Sequence, residues 1–342
     1  MRKYDNTIKS KFNTFIKQSL KQKIIYFLSL VGVKQFIYKV FYILFLFFPK
    51  NIPSFLRKIV FLRGVIFDIR KKKSKYIFLD EKGKEKFLLL SSDKVISREL
   101  FVRGDFDLKK LYKVMDILKN NYQIDCIYDI GANIGSICIP AVKRGIVQKA
   151  IAIEPELENY KLLKLNIGHN NLESKITTYN YALSFEDDKI LDLGLSTINS
   201  GDHRIKLPNT KEGVRNESLR KTIKVKSKTF DSMFGSINSQ KNLIWIDTQG
   251  FEANILLGAK KLISSGAPIV IEFWPYGLKL NNSFDKLKDI LKNFDHYYDL
   301  SEETVQKRKI NSENITSLFS GWDEEKTNMH SLFTDLLIMS RQ

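Results

Sequence analysis

One short segment of the sequence combines residue types that could bind a ligand through the backbone. The segment DIGANIG, residues 129–135, follows the apolar run CIYDI (126–130) and leads into a helical pattern over residues 134–143. Glycines at such a junction permit a tight turn and a close approach of the backbone to a ligand, and the first turn of the helix offers unpaired N–H groups. We therefore predict a ligand-binding turn between a buried strand and a helix.

Two cofactor classes use a turn of this kind, and the neighbouring residues distinguish them. The dinucleotide pattern G-x-G-x-x-G is absent, because Asn133 stands at the second glycine position. Asp129 precedes the turn and can hold its N–H groups or, through water, the cationic amino-acid part of a ligand. Glu154 closes the next apolar strand, where a carboxylate can accept hydrogen bonds from both hydroxyls of a ribose. These residues favour S-adenosylmethionine over a dinucleotide.

From these residues onward the chain resembles the FkbM-type methyltransferases, a family of the class I S-adenosylmethionine-dependent group. The resemblance runs from about Asp93 to Pro275 in six ordered blocks: DIGANIG (129–135), IAIEPELENYKLLKLNI (151–167), NYALS (180–184), TFDSM (229–233), IDTQGFEANILLGA (246–259) and IVIEFWP (269–275). It implies a seven-stranded, Rossmann-like class I sheet and methyl transfer to an oxygen, commonly a hydroxyl or carboxyl of a sugar, glycan or small metabolite. The donor-binding residues that it implies are Asp129, Gly131, Ala132, Asn133, Gly135, Glu154 and Ala182.

The chain departs from the family pattern at one place. The family's frequent segment I-D-V-E-G-x-E reads IDTQGFE here, so that Thr248 and Gln249 replace the valine and the first glutamate. Asp247, Gly250 and Glu252 remain. Any role of a carboxylate at position 249 is therefore lost in this chain.

Two further carboxylates are candidates for work on an acceptor. Asp247 and Glu272 end apolar strands that should be neighbours, and open α/β sheets bind ligands beyond such strand ends. Asp247 is the first candidate for orienting or deprotonating the acceptor, and His203 in SGDHR is a second base candidate. The alternatives are strand-end capping for Asp247 and an ordinary solvated loop histidine for His203. The two carboxylates could also bind Mg²⁺, but a pair does not identify a metal site, so a divalent metal stays open.

The elements that must position these residues alternate along the chain. Strand-like apolar runs occur at 126–130, 150–154, 176–183, 243–247, 269–273 and 332–339, and helical spacing occurs at 107–120, 134–143, 156–168, 251–264 and 283–293. This alternation predicts an α/β fold with a mostly parallel sheet and helices on both faces. A β-hairpin is predicted within 76–90. The polar, weakly periodic stretch 193–221 is predicted to be a lid or substrate loop.

Composition and charge restrict the class of protein. Apolar residues make up 43% and charged residues 27% of the 342 residues, which is ordinary for a globular chain and argues against disorder. Two cysteines, Cys126 and Cys138, argue against a disulfide scaffold or a structural zinc site. Residues 1–80 hold 18 Lys and Arg against 3 acids, whereas the remaining residues are close to neutral. The positive charge is therefore concentrated in an amino-terminal arm, residues 1–75, ahead of a methyltransferase domain over 76–342.

The arm is apolar as well as basic. The run from 24 to 48 is long enough to cross a bilayer, but Lys34, Gln35 and Lys39 lie near its centre and fall on one side of a helix. This pattern is typical of a helix lying in the plane of an anionic membrane surface, and Pro49 follows it. We expect peripheral attachment to the cytoplasmic face of a membrane. A helix pair packed on the domain or on a dimer mate, and a transmembrane span, remain alternatives, and the sequence indicates no oligomeric state.

Three functions are compatible with these features. The leading hypothesis is methylation of a sugar, glycan or glycolipid hydroxyl near the membrane. An RNA methyltransferase would share the donor site and use the basic arm, but the near-neutral domain and the lack of an N/D-P-P-Y-type motif argue against a nucleic-acid acceptor. A non-enzymatic membrane adaptor is the third, and the intact Gly131, Gly135, Glu154 and Asp247 argue against it.

Overall fold

Alternating apolar strands and helices build one large sheet in the carboxy-terminal part of the chain. The computed structural model describes residues 39–40, 42–43, 60–206, 217–320 and 333–340, and the chain divides into two compact units, residues 1–74 and 75–342. The strands are β1 (Tyr76–Leu79), β2 (Phe87–Leu90), β3 (Cys126–Ile130), β4 (Lys149–Ile153), β5 (Ile176–Tyr179), β6 (Ala182–Leu183), β7 (Ile190–Gly194), β8 (Arg204–Lys206), β9 (Thr222–Lys228), β10 (Asn242–Ile246), β11 (Ile269–Phe273), β12 (His296–Asp299), β13 (Lys307–Lys309) and β14 (Thr334–Met339).

Helices fill most of the connections between these strands. In the second unit they span Ile96–Arg103, Leu108–Leu118, Cys138–Lys143, Leu157–His169, Phe230–Phe234, Glu252–Leu257, Lys260–Ser265, Pro275–Leu280, Phe284–Leu291 and Ser312–Ser320, with a 3₁₀ turn at Glu217–Leu219. The predicted helix over 134–143 begins only at Cys138, because residues 134–137 still belong to the turn. The predicted helix over 251–264 is two helices. They separate at Gly258, where a Cβ would lie 2.1 Å from the carbonyl oxygen of Ser184.

The large sheet has the strand order β13-β12-β14-β11-β10-β3-β4-β5. The five strands from β11 to β5 are parallel to their neighbours, whereas β14 runs antiparallel between β11 and β12. The prediction of an α/β fold with a mostly parallel sheet is confirmed. Seven strands were expected, and β13 adds an eighth at the edge, where it pairs antiparallel with β12.

The strand order reverses between β3 and β10, which places a crevice at their carboxyl ends. The chain runs outward from β3 through β4 to β5, and then returns to β10 on the other side of β3. Register pairs Ile130 with Ile246, and the N–H of Asp247 donates to the carbonyl of Ile130 at 3.0 Å. Ligands of open α/β sheets bind at such a switch point. The glycine turn after β3 and Asp247 after β10 therefore share one edge.

Residues 193–221, predicted as a lid or substrate loop, contain the end of β7 and all of β8, while 207–216 lie outside the described residues, so the lid role stays a prediction. β7 and β8 belong to a second sheet. Its four strands have the order β6-β9-β7-β8, and Leu193, Ile205 and Val225 on three of them are buried. Strands as short as β6 and β8 leave little periodic signal in a sequence. The predicted strand 176–183 is likewise divided, with β5 in the large sheet and β6 in the second. Between them the Asn180 amide donates to the carbonyls of Glu154 and Pro155 at 2.8 and 3.0 Å.

The predicted β-hairpin is present, and buried asparagines attach it to the domain. β1 and β2 pair antiparallel, and the N–H of Leu88 donates to Oδ1 of Asn166 at 2.6 Å. The Asn166 amide also donates to the carbonyl of Ile134 at 3.0 Å. One fully buried side chain thus links the hairpin, the helix Leu157–His169 and the glycine turn.

The first unit is described at a helix, Val60–Lys71, and at the helical residues 39–40 and 42–43. Leu62, Val65 and Ile69 form a small buried cluster against Tyr42, and Lys72 lies 4.9 Å from the centre of the Tyr42 ring. Within the described part of the chain, no helix is both long and apolar enough to cross a membrane. Most of the predicted in-plane helix over 24–48 lies outside the described residues, so membrane attachment stays a prediction.

Candidate functional site

A cavity of about 560 Å³ opens at the carboxyl ends of β3, β4 and β10. Apolar side chains from both sheets form much of its wall: Ile130 and Ile153 belong to the large sheet, and Leu183, Leu193 and Ile205 to the second. The predicted site residues that line it are Gly131, Asn133, Glu154, Ala182, His203 and Asp247. The other predicted residues, Asp129, Ala132, Gly135 and Glu272, do not belong to its lining.

The glycines of the turn make room for protein atoms. Gly131 and Gly135 have φ values of 88° and 92°, in the left-handed region that favours glycine. A Cβ on Gly131 would lie 2.0 Å from the carbonyl oxygen of Asp247, and a Cβ on Gly135 would lie 2.5 Å from Cδ1 of Ile139. The sequence led us to expect close approach by a ligand. The structure shows a close approach between the turn and other parts of the domain, and the approach by a ligand stays a prediction.

Asp129 lies behind the cavity and supports the turn. Its Oδ2 accepts the N–H of Cys138 at 3.1 Å, at the start of the helix Cys138–Lys143. Burial raises the pKa of this carboxyl to about 6. A direct contact of Asp129 with a ligand therefore stays a prediction, whereas its contact with the backbone after the turn is observed.

Glu154 faces the cavity with both carboxylate oxygens already oriented by the backbone. Oε2 accepts the N–H of Asn133 at 2.9 Å, and Oε1 accepts the N–H of Glu156 at 2.8 Å. Burial, together with the nearby charges of Glu156 and Asp129, raises the pKa of Glu154 to about 8. Each oxygen retains a further lone pair, so the side chain can accept hydroxyl hydrogens without leaving its position.

Polar residues that sequence reasoning missed attach the second sheet to the glycine turn. The carbonyl of Ser200 accepts hydrogen bonds from the side-chain amides of Asn133 at 2.8 Å and Asn159 at 3.1 Å. The Ser200 hydroxyl donates to Oδ2 of Asp93 at 2.8 Å. These partners are far apart in sequence, and no local pattern indicates their contact.

A buried ion-pair network fixes the other end of this insertion. Arg204, 3% exposed, pairs with Asp202 and Glu217, and its guanidinium carbon lies 4.5 Å from the centre of the Trp274 ring. Arg220 Nη2 also contacts Asp202, at 2.7 Å. Charges buried in this way require partners, and here opposite charges face each other. The cavity wall formed by the second sheet is thus anchored to the segment after β11.

The surroundings of His203 favour a neutral ring that can donate a hydrogen bond. Its Nδ1 accepts the N–H of Ser196 at 3.0 Å, and burial lowers its pKa to about 4. The ring is therefore neutral at physiological pH, and its hydrogen is on Nε2 because Nδ1 acts as acceptor. In this arrangement His203 can donate from Nε2, whereas taking up a proton would require it to break its contact with Ser196.

Asp247 and Glu272 are joined by the side chain of Gln249. Nε2 of Gln249 lies 2.8 Å from Oδ1 of Asp247 and 3.2 Å from each carboxylate oxygen of Glu272. Burial, and then the charge of Asp335, raises the pKa of Asp247 to about 7. Burial and the charge of Asp247 raise the pKa of Glu272 well above its ordinary value. Glu272 is thus a buried neighbour of Asp247 rather than a wall of the cavity.

Glu252 supports the turn that carries Gln249. Its Oε1 accepts the N–H and the hydroxyl of Thr248, both at 3.0 Å, and the N–H of Gly250 at 3.2 Å. Burial raises the pKa of Glu252 to about 7. Among the residues that the structure describes, no group of three His, Cys, Asp or Glu side chains could hold a metal ion.

Replacing Gly131 by alanine should destabilise the domain strongly. Left-handed strain costs about 1–2 kcal/mol, and the forced contact with the Asp247 carbonyl adds about 1–3 kcal/mol, as for an overpacked core. Gly83→Ala is the matched control, because Gly83 also has a positive φ but a Cβ there would meet nothing within 4 Å. Chemical denaturation of both variants measures the difference. Equal losses of stability would contradict the close approach of Gly131 to Asp247.

Comparison with known proteins identifies a protein family whose model matches part of the chain. The profile described as "Methyltransferase FkbM domain" matches residues 129–298. No curated protein sequence matches the chain. Among solved structures, P. horikoshii TYW2 in complex with MeSAdo is 16% identical with a TM-score of 0.34, over 78% of this chain and 72% of that one. The M. jannaschii tRNA m1G37 methyltransferase is 15% identical with a TM-score of 0.35, over 78% and 58% of the two chains.

A structure described as the StiE O-MT is 11% identical with a TM-score of 0.35, over 73% of this chain and 79% of that one. Likenesses this distant carry no inference about the acceptor. The matched segment 129–298 contains the glycine turn, Glu154, Asp247 and Glu272, which the sheet brings to one edge. The chain therefore belongs to the FkbM family of S-adenosylmethionine-dependent methyltransferases.

Proposed function

We propose that this methyltransferase acts on a hydroxyl of a sugar, glycan or related small molecule, and that Asp247 orients or deprotonates that hydroxyl. The observation that carries the proposal is the position of Asp247 in the same cavity as Glu154, with a pKa raised to about 7. A general base works best when its pKa is close to the operating pH. Asp247 meets that condition through burial, at the end of the strand next to the glycine turn.

The residues around the cavity fit the methyl donor. S-adenosylmethionine supplies an electrophilic methyl group on a sulfonium. Glu154 is the acceptor for the ribose hydroxyls, since its oxygens are oriented and retain free lone pairs. Ala182 and Leu183 provide apolar surface of the kind that an adenine ring requires. Gly131 and Asn133 line the same wall. Asp129 contributes by holding the helix start behind the turn.

His203 is proposed as a donor to the reacting molecules and not as the base. Its Nε2 carries the hydrogen, because Nδ1 accepts from Ser196. His203 lines both the first cavity and a second one of about 640 Å³. A donor at the boundary of two cavities can orient a hydroxylated acceptor next to the methyl donor. Asp247 then remains the candidate for removing the hydroxyl proton.

The lining of the second cavity supports an uncharged, hydroxyl-rich acceptor. Besides Ser200 and His203, which it shares with the first cavity, it contains the carboxylates Asp93, Glu156 and Glu158 and no lysine or arginine among its described residues. Proteins neutralise nucleic-acid phosphates with Lys and Arg. A sugar hydroxyl suits this wall better than a phosphate backbone does.

Glu154→Ala should weaken S-adenosylmethionine binding about 10- to 100-fold, the equivalent of about 1.5–3 kcal/mol for hydrogen bonds to a charged group. Affinity of the unmodified protein should rise as the pH increases from 6 to 8, because hydroxyl donors favour the ionised form of a carboxyl whose pKa is about 8. Calorimetry measures both effects. Glu173→Ala, an exposed glutamate, is the control. Unchanged donor affinity would remove Glu154 from the site, and saturable NAD binding would contradict the donor assignment.

Asp247→Asn should lower turnover by about 10²- to 10⁴-fold with little change in donor affinity. Turnover of the unmodified protein should increase as the pH rises through about 7, because Asp247 must be ionised to accept a proton. This increase should be absent in the variant. His203→Ala should reduce turnover less and leave the rise in place. A product 14 Da heavier than the acceptor, followed by mass spectrometry, is the readout. Near-full turnover in Asp247→Asn would leave only strand-end capping for this residue.

We also propose that the amino-terminal arm brings the domain to an anionic membrane surface on the cytoplasmic side. The concentration of positive charge in residues 1–80, next to the one-sided polar pattern over 24–48, supports this attachment. Exposed charge attraction fades over about 8 Å at physiological salt, so part of the binding should weaken as salt increases.

Deleting residues 1–74 should leave a folded domain that binds the donor but no longer sediments with anionic vesicles. Every donor-site residue lies in the unit 75–342, which is compact by itself. The full chain with neutral vesicles serves as the control for charge. Loss of folding or donor binding on deletion would show instead that the arm belongs to the domain core or to a dimer interface. Binding of RNA at physiological salt, without vesicle binding, would favour the RNA methyltransferase alternative.

A further inference from the structure

The amide of Gln249 lies where two buried carboxylates converge. Its nitrogen contacts one oxygen of Asp247 at 2.8 Å and both oxygens of Glu272 at 3.2 Å. A primary amide has two N–H hydrogens, so these contacts use the full donor capacity of the nitrogen. Gln249 thus acts as a bridge between the residue that faces the cavity and the residue behind it.

The backbone around Gln249 leaves this side chain little freedom. Gln249 has a φ of 57°, in the left-handed region, and Gly250 follows with a φ of 93°. A Cβ on Gly250 would lie 2.7 Å from Cα of Gly277, so the turn is pressed against the helix Pro275–Leu280. Glu252 accepts three hydrogen bonds from the same turn. Strained backbone of this kind persists only where the surroundings hold it in place.

The charges around the bridge are strongly unbalanced. Glu272 pairs in register with Asp335, and the cation Lys110 lies 2.5 Å from Oδ2 of Asp335 and 3.1 Å from Oδ2 of Asp107. The acids at this edge are Asp107, Asp247, Glu252, Glu272 and Asp335. Repulsion among buried carboxylates can be relieved by bound protons or by a divalent cation held between them.

We propose that the amide nitrogen of Gln249 occupies the place between Asp247 and Glu272 that a divalent cation would need, so that Asp247 works as a metal-free carboxylate. The inference rests on the role proposed for Asp247 and adds how its environment is maintained. The amide donates two hydrogen bonds but brings no full charge, so the pair keeps a proton instead of binding a metal. A carboxylate at position 249 would instead favour metal binding, because Mg²⁺ and Mn²⁺ bind carboxylate oxygens.

Mn²⁺ binding to purified full-length variants tests the proposal without an acceptor. Gln249→Glu replaces the donor nitrogen by an oxygen and places a third carboxylate beside Asp247 and Glu272. The expected result is one Mn²⁺ bound at least tenfold more tightly than by the unmodified protein, measured by calorimetry and by the loss of the free-ion signal in electron paramagnetic resonance. The gain should disappear in Gln249→Glu combined with Asp247→Asn.

Gln148→Glu is the matched control. The Gln148 amide also donates to a carboxylate, Asp125, at 3.3 Å, but it lies on the surface. The same change of charge there should produce no comparable gain in Mn²⁺ affinity. Gln249→Met, which removes the N–H groups and adds no charge, should bind Mn²⁺ more tightly than the unmodified protein and less tightly than Gln249→Glu. It decides the question by itself if Gln249→Glu does not fold.

Two results would overturn the proposal. The first is one tightly bound Mn²⁺ in the unmodified protein that is lost in Asp247→Asn, because the amide would then not exclude the cation. The second is a folded Gln249→Glu or Gln249→Met variant with no gain in Mn²⁺ affinity. Failure of the proposed function is distinguishable, since near-full turnover in Asp247→Asn would remove the role of that residue while leaving the metal measurements interpretable.

Discussion

The close approach between the backbone of Gly131 and the carbonyl of Asp247 is the constraint on which the site depends. It occurs where β3 and β10 lie side by side and the strand order reverses, so the crevice of the sheet opens directly above it. The turn proposed to bind the donor and the carboxylate proposed to act on the acceptor therefore line one cavity. A side chain at position 131 would separate them. The fit of the turn against Asp247 by itself therefore requires a glycine at position 131.

Burial sets the electrostatic character of this edge. Desolvation is the largest cause of the raised pKa values of Asp129, Glu154, Asp247 and Glu252, which extend from about 6 to about 8. Carboxyl groups that are ordinarily ionised far below neutral pH thus exchange protons near it. For Asp247 this is the range in which a base has to work. The amide of Gln249 donates hydrogen bonds to Asp247 and Glu272, which holds the two carboxyl groups in place without adding a charge.

Residues of the second sheet form one wall of the cavity. Ser200 is held by Asn133, Asn159 and Asp93, and the Arg204 network holds the following strand against Trp274. Both anchors combine buried polar groups with matched partners, which is the condition under which such groups can be buried. His203 lies between the two anchors in the sequence, and the N–H of Ser196 orients its ring. The described part of the insertion therefore contributes a hydrogen-bond donor and apolar surface to the cavity.

Local sequence patterns were sufficient for the elements whose signal is contiguous. CIYDI and IVIEF are strands with the predicted bounds, and the glycine turn, Glu154 and Asp247 lie at strand ends as expected. Within the stretch predicted as a lid or substrate loop, β8 was not recognised, because a strand of three residues leaves too short a pattern. The edge strands β12 and β13 were also missed.

The sequence by itself determined the α/β class, the family and the residues that carry the donor motif, since each depends on residue types at short spacing. Only the tertiary structure decided that Gly131 makes room for Asp247, that Ser200 holds the turn and that Gln249 joins Asp247 to Glu272. These contacts join segments that are distant along the chain or on different strands. Their existence depends on strand order and register, which no local pattern contains.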